Sequence, residues 1–218
     1  MKPIEANMDA MSHFIHDAGH ELKTPLAIVS GNLQILRDMK AKDSELINTS
    51  ISTISALGDS IDGLVELSNL KLPEKRESIT LLTHLEEIIK LHQYEQEKKD
   101  LTLTLDIPKK SKIKMESKHF SILIGNLLKN AITYNKPHGN IHISYTGKTL
   151  SLKDTGIGMT QEECEKIFDR FYRIDRTGKY PGSGIGLALV DRIIKLYGWA
   201  ISVKSEPKNG TTFNIKIK

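Results

Sequence analysis

The 218-residue sequence lacks the features that define several classes of protein. It has a single cysteine, Cys164, so it cannot form an internal disulfide, and this usage is typical of a reducing compartment. We expect Cys164 to be a small side chain at a helix surface. No run of about 18 apolar residues is present, so no segment is expected to contact or span a membrane, and no secretory signal pattern is found. These absences predict a cytoplasmic protein.

A large excess of charge of one sign is also lacking. The formal net charge is +4, and the basic residues are spread along the chain except for a run over residues 109–114. That run has no interleaved aromatic residues, which is more typical of a solvated loop than of a nucleic-acid patch. We therefore expect no nucleic-acid partner.

Two long helical stripes lie in the N-terminal part. A helix is predicted over residues 5–40 and a second over 47–65, joined by the polar turn 40–45, because apolar residues recur every three or four positions. The stripes are Met11, Ile15, Ala18, Leu22, Leu26, Val29, Leu33 and Leu36, and then Ile47, Ile51, Ile54, Gly58, Ile61 and Val65. One hairpin cannot bury both stripes, so we expect a homodimer in which two hairpins form a four-helix bundle.

The pattern changes after a charged, proline-containing linker. Helices are then predicted at 81–99, 117–134 and 187–197, and strands at 101–107, 140–146, 149–155, 200–205 and 211–217. This mixture favours an α+β multidomain protein whose second part is an α/β sandwich, with helices on one face of a mixed sheet. The predicted domains are the helical hairpin at 1–71, the linker at 72–78 and the sandwich at 79–218.

The stretch HDAGHELKTPL places His20 opposite the apolar stripe of its helix. Three interpretations of this histidine are open. It can be a solvated side chain, it can bind zinc with His13 and His16, or it can be a nucleophile with the Glu21 carboxylate beside it. Pro25 has a use in the last case, because it leaves the Glu21 carbonyl without a helical donor and can bend the helix below His20.

Three clusters in the second domain have the chemistry of a nucleotide site. Asn126 and Asn130 lie about one helical turn apart, and amide oxygens are suitable ligands for Mg²⁺. Asp154 ends a predicted strand and is followed by two glycines in DTGIGM, so its carboxylate can accept a hydrogen bond from an exocyclic amine at close approach. The segment GSGIGLALV places three more glycines at the start of a helix, where exposed amides bind phosphate.

With these clusters in this order, the sequence resembles the catalytic core of sensor histidine kinases of bacterial two-component systems. HELKTPL is similar to the H box of that family, NLLKNAITYN to the N box, DTGIGM and GSGIGLALV to the two glycine-rich boxes, and IFDRFYRID to the F box. The resemblance covers essentially the whole chain. It implies a dimerisation and histidine-phosphotransfer hairpin followed by an ATP-binding domain of the Bergerat (GHKL) fold.

The resemblance also implies roles for single residues in the hairpin. His20 would be the phosphoacceptor and Glu21 the general base. Thr24 would orient water when the phosphorylated partner is dephosphorylated.

In the second domain the resemblance implies a set of nucleotide and metal contacts. Asn130 would ligate Mg²⁺, and Asn126 would lie near the phosphates or the metal. The other implied contacts are Asp154 at the adenine amine, Gly156 and Gly158 around the same pocket, Tyr134 near the purine, Arg173 at the phosphates, and Gly182, Gly184 and Gly186 along the phosphate tail. Thr133 departs from the family, which often has a lysine at that position.

The implied function is ATP-dependent autophosphorylation of His20, followed by phosphoryl transfer to an aspartate of a response-regulator receiver domain, with a phosphatase activity beside it. ATP and Mg²⁺ are the implied cofactors, and the parent protein is expected to be membrane-anchored outside this segment. A nucleotide-binding pseudokinase scaffold and a GHKL-type ATPase are the alternatives. The presence of His20, Asn130 and Asp154 disfavours the scaffold, and Asn126 stands where such ATPases carry a water-activating glutamate.

Overall fold

The structure is a computed structural model that describes residue 22 and residues 24–36, 44–71, 76–175, 180 and 182–218. The chain divides into two compact units, with the boundary between Val65 and Glu66. The domain limits predicted at residues 71 and 79 stay predictions. No helix within the described ranges is long and apolar enough to cross a membrane.

The first unit contains the two predicted helices, described as α1 over residues 24–36 and α2 over Ser44–Asn69, which continues into the second unit. Asn32 of α1 donates a hydrogen bond from Nδ2 to Ser50 Oγ of α2 (3.2 Å), and Ser50 in turn donates to the Leu46 carbonyl (2.8 Å). Among the described side chains of this unit, Ser50 and Leu64 alone are buried. The described members of the apolar stripes are therefore not buried within one chain.

The second unit is an α/β sandwich. Its elements are β1 (Ser78–Thr80), α3 (Leu81–Leu91), α4 (Gln93–Lys98), β2 (Thr102–Asp106), β3 (Lys112–Lys114), α5 (Ser117–Thr133), β4 (Asn140–Tyr145), β5 (Thr149–Asp154), α6 (Gln161–Lys166), α7 (Gly186–Leu196), β6 (Ala200–Ser205) and β7 (Thr211–Lys216). The main sheet has the order β2-β4-β5-β7-β6, with β2 parallel to β4 and the other pairs antiparallel. The predicted mixed sheet is confirmed.

The core lies between the helices and the inner face of this sheet. Alternate residues of β4, β5 and β7 are buried, as expected for strands with one covered face. Helix α5 packs against both α3 and α7. Asp154 is the last residue of β5, and it takes one of the buried positions of that strand. Its carboxyl group therefore lies at the end of the core layer.

Three local predictions were wrong. The helix predicted over 81–99 is interrupted at His92, where the side chain of Gln96 donates to the Ile89 carbonyl at the end of α3 (3.3 Å). The basic run at 109–114 is not wholly a loop, because its last three residues form strand β3, paired with β1. Cys164 lies in α6 as a buried residue, not at a helix surface.

Candidate functional site

A cleft in the second unit is formed by the C-terminal half of α5, the loop after β5, the segment before α7 and the start of β7. It encloses about 970 Å³ of space between its walls, part of which is open solvent. Nine of the ten implied nucleotide contacts line it: Asn126, Asn130, Tyr134, Asp154, Gly158, Arg173, Gly182, Gly184 and Gly186. The tenth, Gly156, lies behind Asp154 and contacts its carboxylate through the main chain.

Asp154 is the buried acid of this cleft. Its Oδ1 accepts hydrogen bonds from the main-chain N–H groups of Gly156 (2.8 Å) and Thr211 (3.2 Å). Burial raises the pKa of Asp154 from 3.8 to about 6, while these two hydrogen bonds act in the opposite direction. At neutral pH the group is therefore mostly ionised, and both bonds use Oδ1. Oδ2 stays available as an acceptor for a ligand that donates a hydrogen bond.

Two glycines allow main-chain segments to meet around the cleft. Gly158 has a φ of +66°, and a Cβ atom there would lie 1.8 Å from the Glu206 carbonyl oxygen. Gly184 has a φ of +72°, and its Cβ atom would lie 2.6 Å from the carbonyl carbon of Phe171. The Phe171 N–H donates to the Gly184 carbonyl (2.9 Å), so the main chain at these two residues is joined directly. A side chain at either position would separate the two segments.

The face of α5 that borders the cleft carries amides. Asn126 donates from Nδ2 to the Ile122 carbonyl (2.8 Å), which leaves its amide oxygen as the free end of the group. Within the described part of the chain, the side chain of Asn130 has no hydrogen-bond partner. No group of three His, Cys, Asp or Glu residues there is placed to hold a metal ion. A metal in this cleft would therefore be held by an amide oxygen such as that of Asn130 together with oxygens of a bound ligand.

Arg173 supplies positive charge at the opposite wall. Its Nη2 donates to the Tyr180 carbonyl (2.5 Å), and its Nε is buried without a hydrogen-bond partner among the described residues. The Tyr180 ring lies 5.0 Å from the Tyr134 ring, centroid to centroid. A guanidinium group with a spare donor beside two aromatic rings can contact an anionic and a planar part of one ligand.

Some residues of the cleft were not predicted. They include Lys129, Ile157, Met159, Leu187, Thr211 and Phe213. Thr211 carries no signal of its own because it holds Asp154 through a main-chain N–H, which nearly any residue could provide. Lys129 could have been noticed from its position between Asn126 and Thr133, since all three fall on one side of a helix.

The residues implied for phosphoryl chemistry belong to the first unit. Thr24 is described, in α1, and its side chain is exposed. His20 and Glu21 lie outside the described residues, and so do the two other histidines of the zinc interpretation. Their roles stay predictions.

Comparison with known proteins defines the class. Residues 10–73 match the His Kinase A (phospho-acceptor) domain, and residues 115–218 match the histidine kinase-, DNA gyrase B-, and HSP90-like ATPase family. The cleft thus belongs to an ATP-binding domain that follows a phospho-acceptor domain in the same chain.

Individual relatives give the family. The signal transduction histidine-protein kinase ArlS of Staphylococcus aureus (strain USA300) is 33 % identical over 227 residues, which is 99 % of this chain and 50 % of the relative. The histidine kinase AdeS of Acinetobacter baumannii has a TM-score of 0.73 at 25 % identity and covers 91 % of this chain and 97 % of its own. The histidine kinase ThkA in complex with the response regulator TrrA has the same fold, with a TM-score of 0.77, 18 % identity and coverage of 98 % and 63 %.

The chain therefore belongs to the two-component sensor histidine kinases, and it comprises their catalytic core. It spans about half the length of the curated relatives it matches.

Proposed function

We propose that this chain is the core of an ATP-dependent protein-histidine kinase, which phosphorylates His20 and passes the phosphoryl group to an aspartate of a response regulator. One observation carries the proposal. A buried carboxylate and a pair of amides border one cleft in a domain of the ATPase family, and the phospho-acceptor match at residues 10–73 includes His20.

The cleft favours adenine over guanine. The Asp154 carboxylate is an acceptor, so it attracts the amino group of adenine and repels the carbonyl oxygen that guanine has at the same ring position. Arg173 and the main-chain amides before α7 bind the phosphates. Asn130 would hold Mg²⁺ together with phosphate oxygens, and the bound ion would neutralise part of the phosphate charge.

Phosphoryl transfer then proceeds in two displacements. A neutral ring nitrogen of His20 attacks the γ-phosphorus, a nitrogen–phosphorus bond forms, and the bond to the β,γ-bridging oxygen breaks as ADP leaves. Glu21 accepts the proton from the other ring nitrogen. A carboxylate oxygen of the response regulator next attacks the phosphorus, the nitrogen–phosphorus bond breaks, and Glu21 returns the proton so that His20 leaves as neutral imidazole. Thr24 would orient the water that later hydrolyses the acyl phosphate.

The partners follow from the first unit. Its exposed apolar stripes support a homodimer in which two hairpins form a four-helix bundle. The complex of ThkA with TrrA supports a response-regulator receiver domain as the phosphoryl acceptor. The cytoplasmic location of this core and a membrane-anchored parent stay predictions.

Labelled ATP tests the proposal. With γ-labelled ATP and Mg²⁺, we expect label on the protein that is lost in acid and kept in base, as for a phosphoramidate, and none on the Asn130→Ala variant. An ATPase would instead release the label as free phosphate, and a pseudokinase scaffold would bind ATP without either product. Either of those two outcomes would contradict the proposal.

A further inference from the structure

The C-terminal turn of α5 is held by a lysine from another part of the fold. Nζ of Lys99, which follows α4, donates to the main-chain carbonyls of Ile132 (2.8 Å), Thr133 (2.6 Å) and Asn135 (3.3 Å). An ammonium group has three protons to donate, so these carbonyls use its whole capacity. Within the described ranges Lys99 has no carboxylate partner. Its positive charge therefore interacts with the main-chain carbonyls of this turn.

A helix end needs such a partner. The last carbonyls of an α-helix have no donor within the helix, and the end carries partial negative charge. Helix α5 has no basic residue in its own last turn. Partial burial lowers the pKa of the Lys99 ammonium, which shows that the group has given up part of its hydration to reach these carbonyls.

The turn that Lys99 holds leads directly into the nucleotide cleft. Asn130 lies within the last turn of α5, and Tyr134 follows the helix, and both border the cleft. The Tyr134 carbonyl accepts a hydrogen bond from the main-chain N–H of Ile157 (3.0 Å), which lies in the loop after β5. A shift of this turn would therefore move both Tyr134 and the loop after β5, which form the two walls of the part of the cleft that would bind adenine.

Asn135 links the same turn to the strand that carries the buried acid. It is buried, its Nδ2 donates to the Asn140 carbonyl (3.2 Å), and its Oδ1 accepts from Thr155 Oγ1 (3.2 Å). Thr155 is the residue after Asp154. The end of α5 is thus joined to the Asp154 segment on one side and to Lys99 on the other.

We propose that Lys99 is a positioning residue of the nucleotide site, which sets the separation between the Asn130 and Tyr134 wall and the Asp154 wall by holding the last turn of α5. The inference rests on the proposed function, because it takes ATP as the ligand. Lys99 does not border the cleft, so it acts through the position of α5 and not by contact with the nucleotide.

Replacement by methionine tests the positioning role, since methionine has nearly the length of lysine and no donor. For Lys99→Met we expect adenosine to lose about tenfold in affinity, because Tyr134 at the adenine end moves with the turn, and ATP to lose at least as much, because Asn130 moves with it. The KM for ATP should rise by a similar factor, with a smaller effect on kcat. Titration calorimetry and initial rates measure these values. Lys98→Met, at an exposed neighbour, is the matched control and should bind like the parent.

Chemical restoration of the charge separates positioning from a general loss of folding. Lys99→Cys is made in a Cys164→Ala background, so that position 99 carries the only thiol. Alkylation with 2-bromoethylamine rebuilds an ammonium group at nearly the position of Nζ, whereas 2-bromoethanol adds a neutral group of the same length. We expect the amine adduct to regain adenosine affinity to within about threefold of the parent and the alcohol adduct to stay weak.

Three results would overturn the inference. Lys99→Met could bind adenosine like the parent while its thermal midpoint falls, which would make Lys99 a stabilising residue only. The alcohol adduct could restore binding as well as the amine adduct does, or the amine adduct could fail to restore it. In each of these cases the unmodified chain still binds ATP. Failure of the unmodified chain to bind adenosine or ATP would instead overturn the proposed function and this inference with it.

Discussion

The two units of the chain treat their apolar residues in opposite ways. In the described part of the first unit, nine large apolar side chains are exposed: Leu26, Ile28, Leu33, Ile35, Ile47, Ile51, Ile54, Ile61 and Val65. In the second unit the helices and the sheet bury theirs against each other, and Leu91 and Tyr94 are the large apolar side chains exposed among its described residues. The same chain thus contains one unit that closes its own core and one whose described apolar side chains are mostly exposed.

The difference indicates what each unit needs in order to function. A cleft that must hold ATP in a fixed geometry is built on a self-contained core, so it can form in a monomer. We expect a helical pair with nine exposed large apolar side chains to need a second copy, because large apolar side chains exposed together mark an interaction site. We therefore expect nucleotide binding to survive loss of the dimer and phosphoryl chemistry to depend on it.

The largest expected effect comes from a charge placed in the uncovered stripe. Ile51, 60 % exposed in one chain, should be buried in the dimer, so Ile51→Glu places two carboxylates in the apolar interface. At about 2 kcal/mol for each buried charge, the dimer dissociation constant should rise about a thousandfold. Sedimentation velocity over a concentration series measures it. Leu91→Glu, in the second unit, is the control and should leave the dimer intact; equal sedimentation of Ile51→Glu and the parent would contradict this account.

The next effect concerns the buried acid of the second unit. In Asp154→Asn the side-chain oxygen can still accept from Gly156 and Thr211, but an NH₂ group replaces Oδ2 and faces the adenine amine donor to donor. Adenosine should lose about a hundredfold in affinity by calorimetry. In the parent, adenosine affinity should fall as the pH drops below about 6, because protonation removes the acceptor. A pH-independent affinity in the parent would contradict the assignment.

The same substitution should stabilise the isolated second unit. Because the folded pKa of Asp154 is raised from 3.8 to about 6, its ionised form opposes folding above pH 6, and this penalty fades as the pH falls toward 3.8. Asp154→Asn should therefore raise the free energy of unfolding by about 1 to 3 kcal/mol at pH 7.5, with a smaller gain at pH 5. Urea unfolding of residues 66–218 at both pH values measures the change.

A smaller effect is expected from Thr24, which is exposed on α1 of the first unit. Thr24→Ala should keep the rate of His20 labelling and slow dephosphorylation of the response regulator about tenfold, because one hydrogen bond to water is lost. The measurement is the pair of rates for each variant. Glu21→Gln is the complementary variant and should slow labelling instead. Equal losses in both rates for both variants would show that this turn only positions His20.

The smallest effect tests whether the second unit unfolds by itself. Thr160 caps α6 in a capping box, accepting from the Glu163 N–H (3.2 Å) while the Glu163 carboxylate accepts from the Thr160 N–H (2.7 Å). Thr160→Ala should lower the stability of the second unit by about 1 kcal/mol. Calorimetric scanning should show that the unfolding transition of the second unit shifts and that of the first-unit dimer does not. A shift of both transitions would show that the units unfold together.

Much of the second unit could be predicted because its elements are long and periodic. Helix α5 and strands β4, β5, β6 and β7 follow their hydrophobic periods closely, so existence, type and approximate limits are confirmed. Strands β1 and β3 were missed because three residues are too few to show alternation. Cys164 was misplaced because a six-residue helix such as α6 has no stripe that distinguishes its buried side.

The cleft was predictable where short local motifs carry its chemistry and not where residues far apart in the sequence meet. Asp154 and the glycines after it were found from the sequence because they stand in one order with the paired asparagines and the second glycine-rich segment, whereas either glycine cluster alone is a weak signal. The hydrogen bond from the Thr211 N–H to Asp154 and the hydrogen bonds from Lys99 to the end of α5 were not predicted. Thr211 lies 57 residues from Asp154, and Lys99 lies 33 to 36 residues from the carbonyls it contacts. A local sequence pattern carries no signal for contacts at such separations.

The central claim is that one unit binds ATP and the other accepts its phosphoryl group, and the His20→Gln variant tests it most directly. Residues 10–73 match the phospho-acceptor domain, whereas the cleft lies wholly in the second unit. The account predicts no label on His20→Gln from γ-labelled ATP, with ATP affinity by calorimetry within about threefold of the parent, since no residue that lines the cleft belongs to the first unit. Label that persists on this variant, or ATP binding lost together with the label, would contradict it.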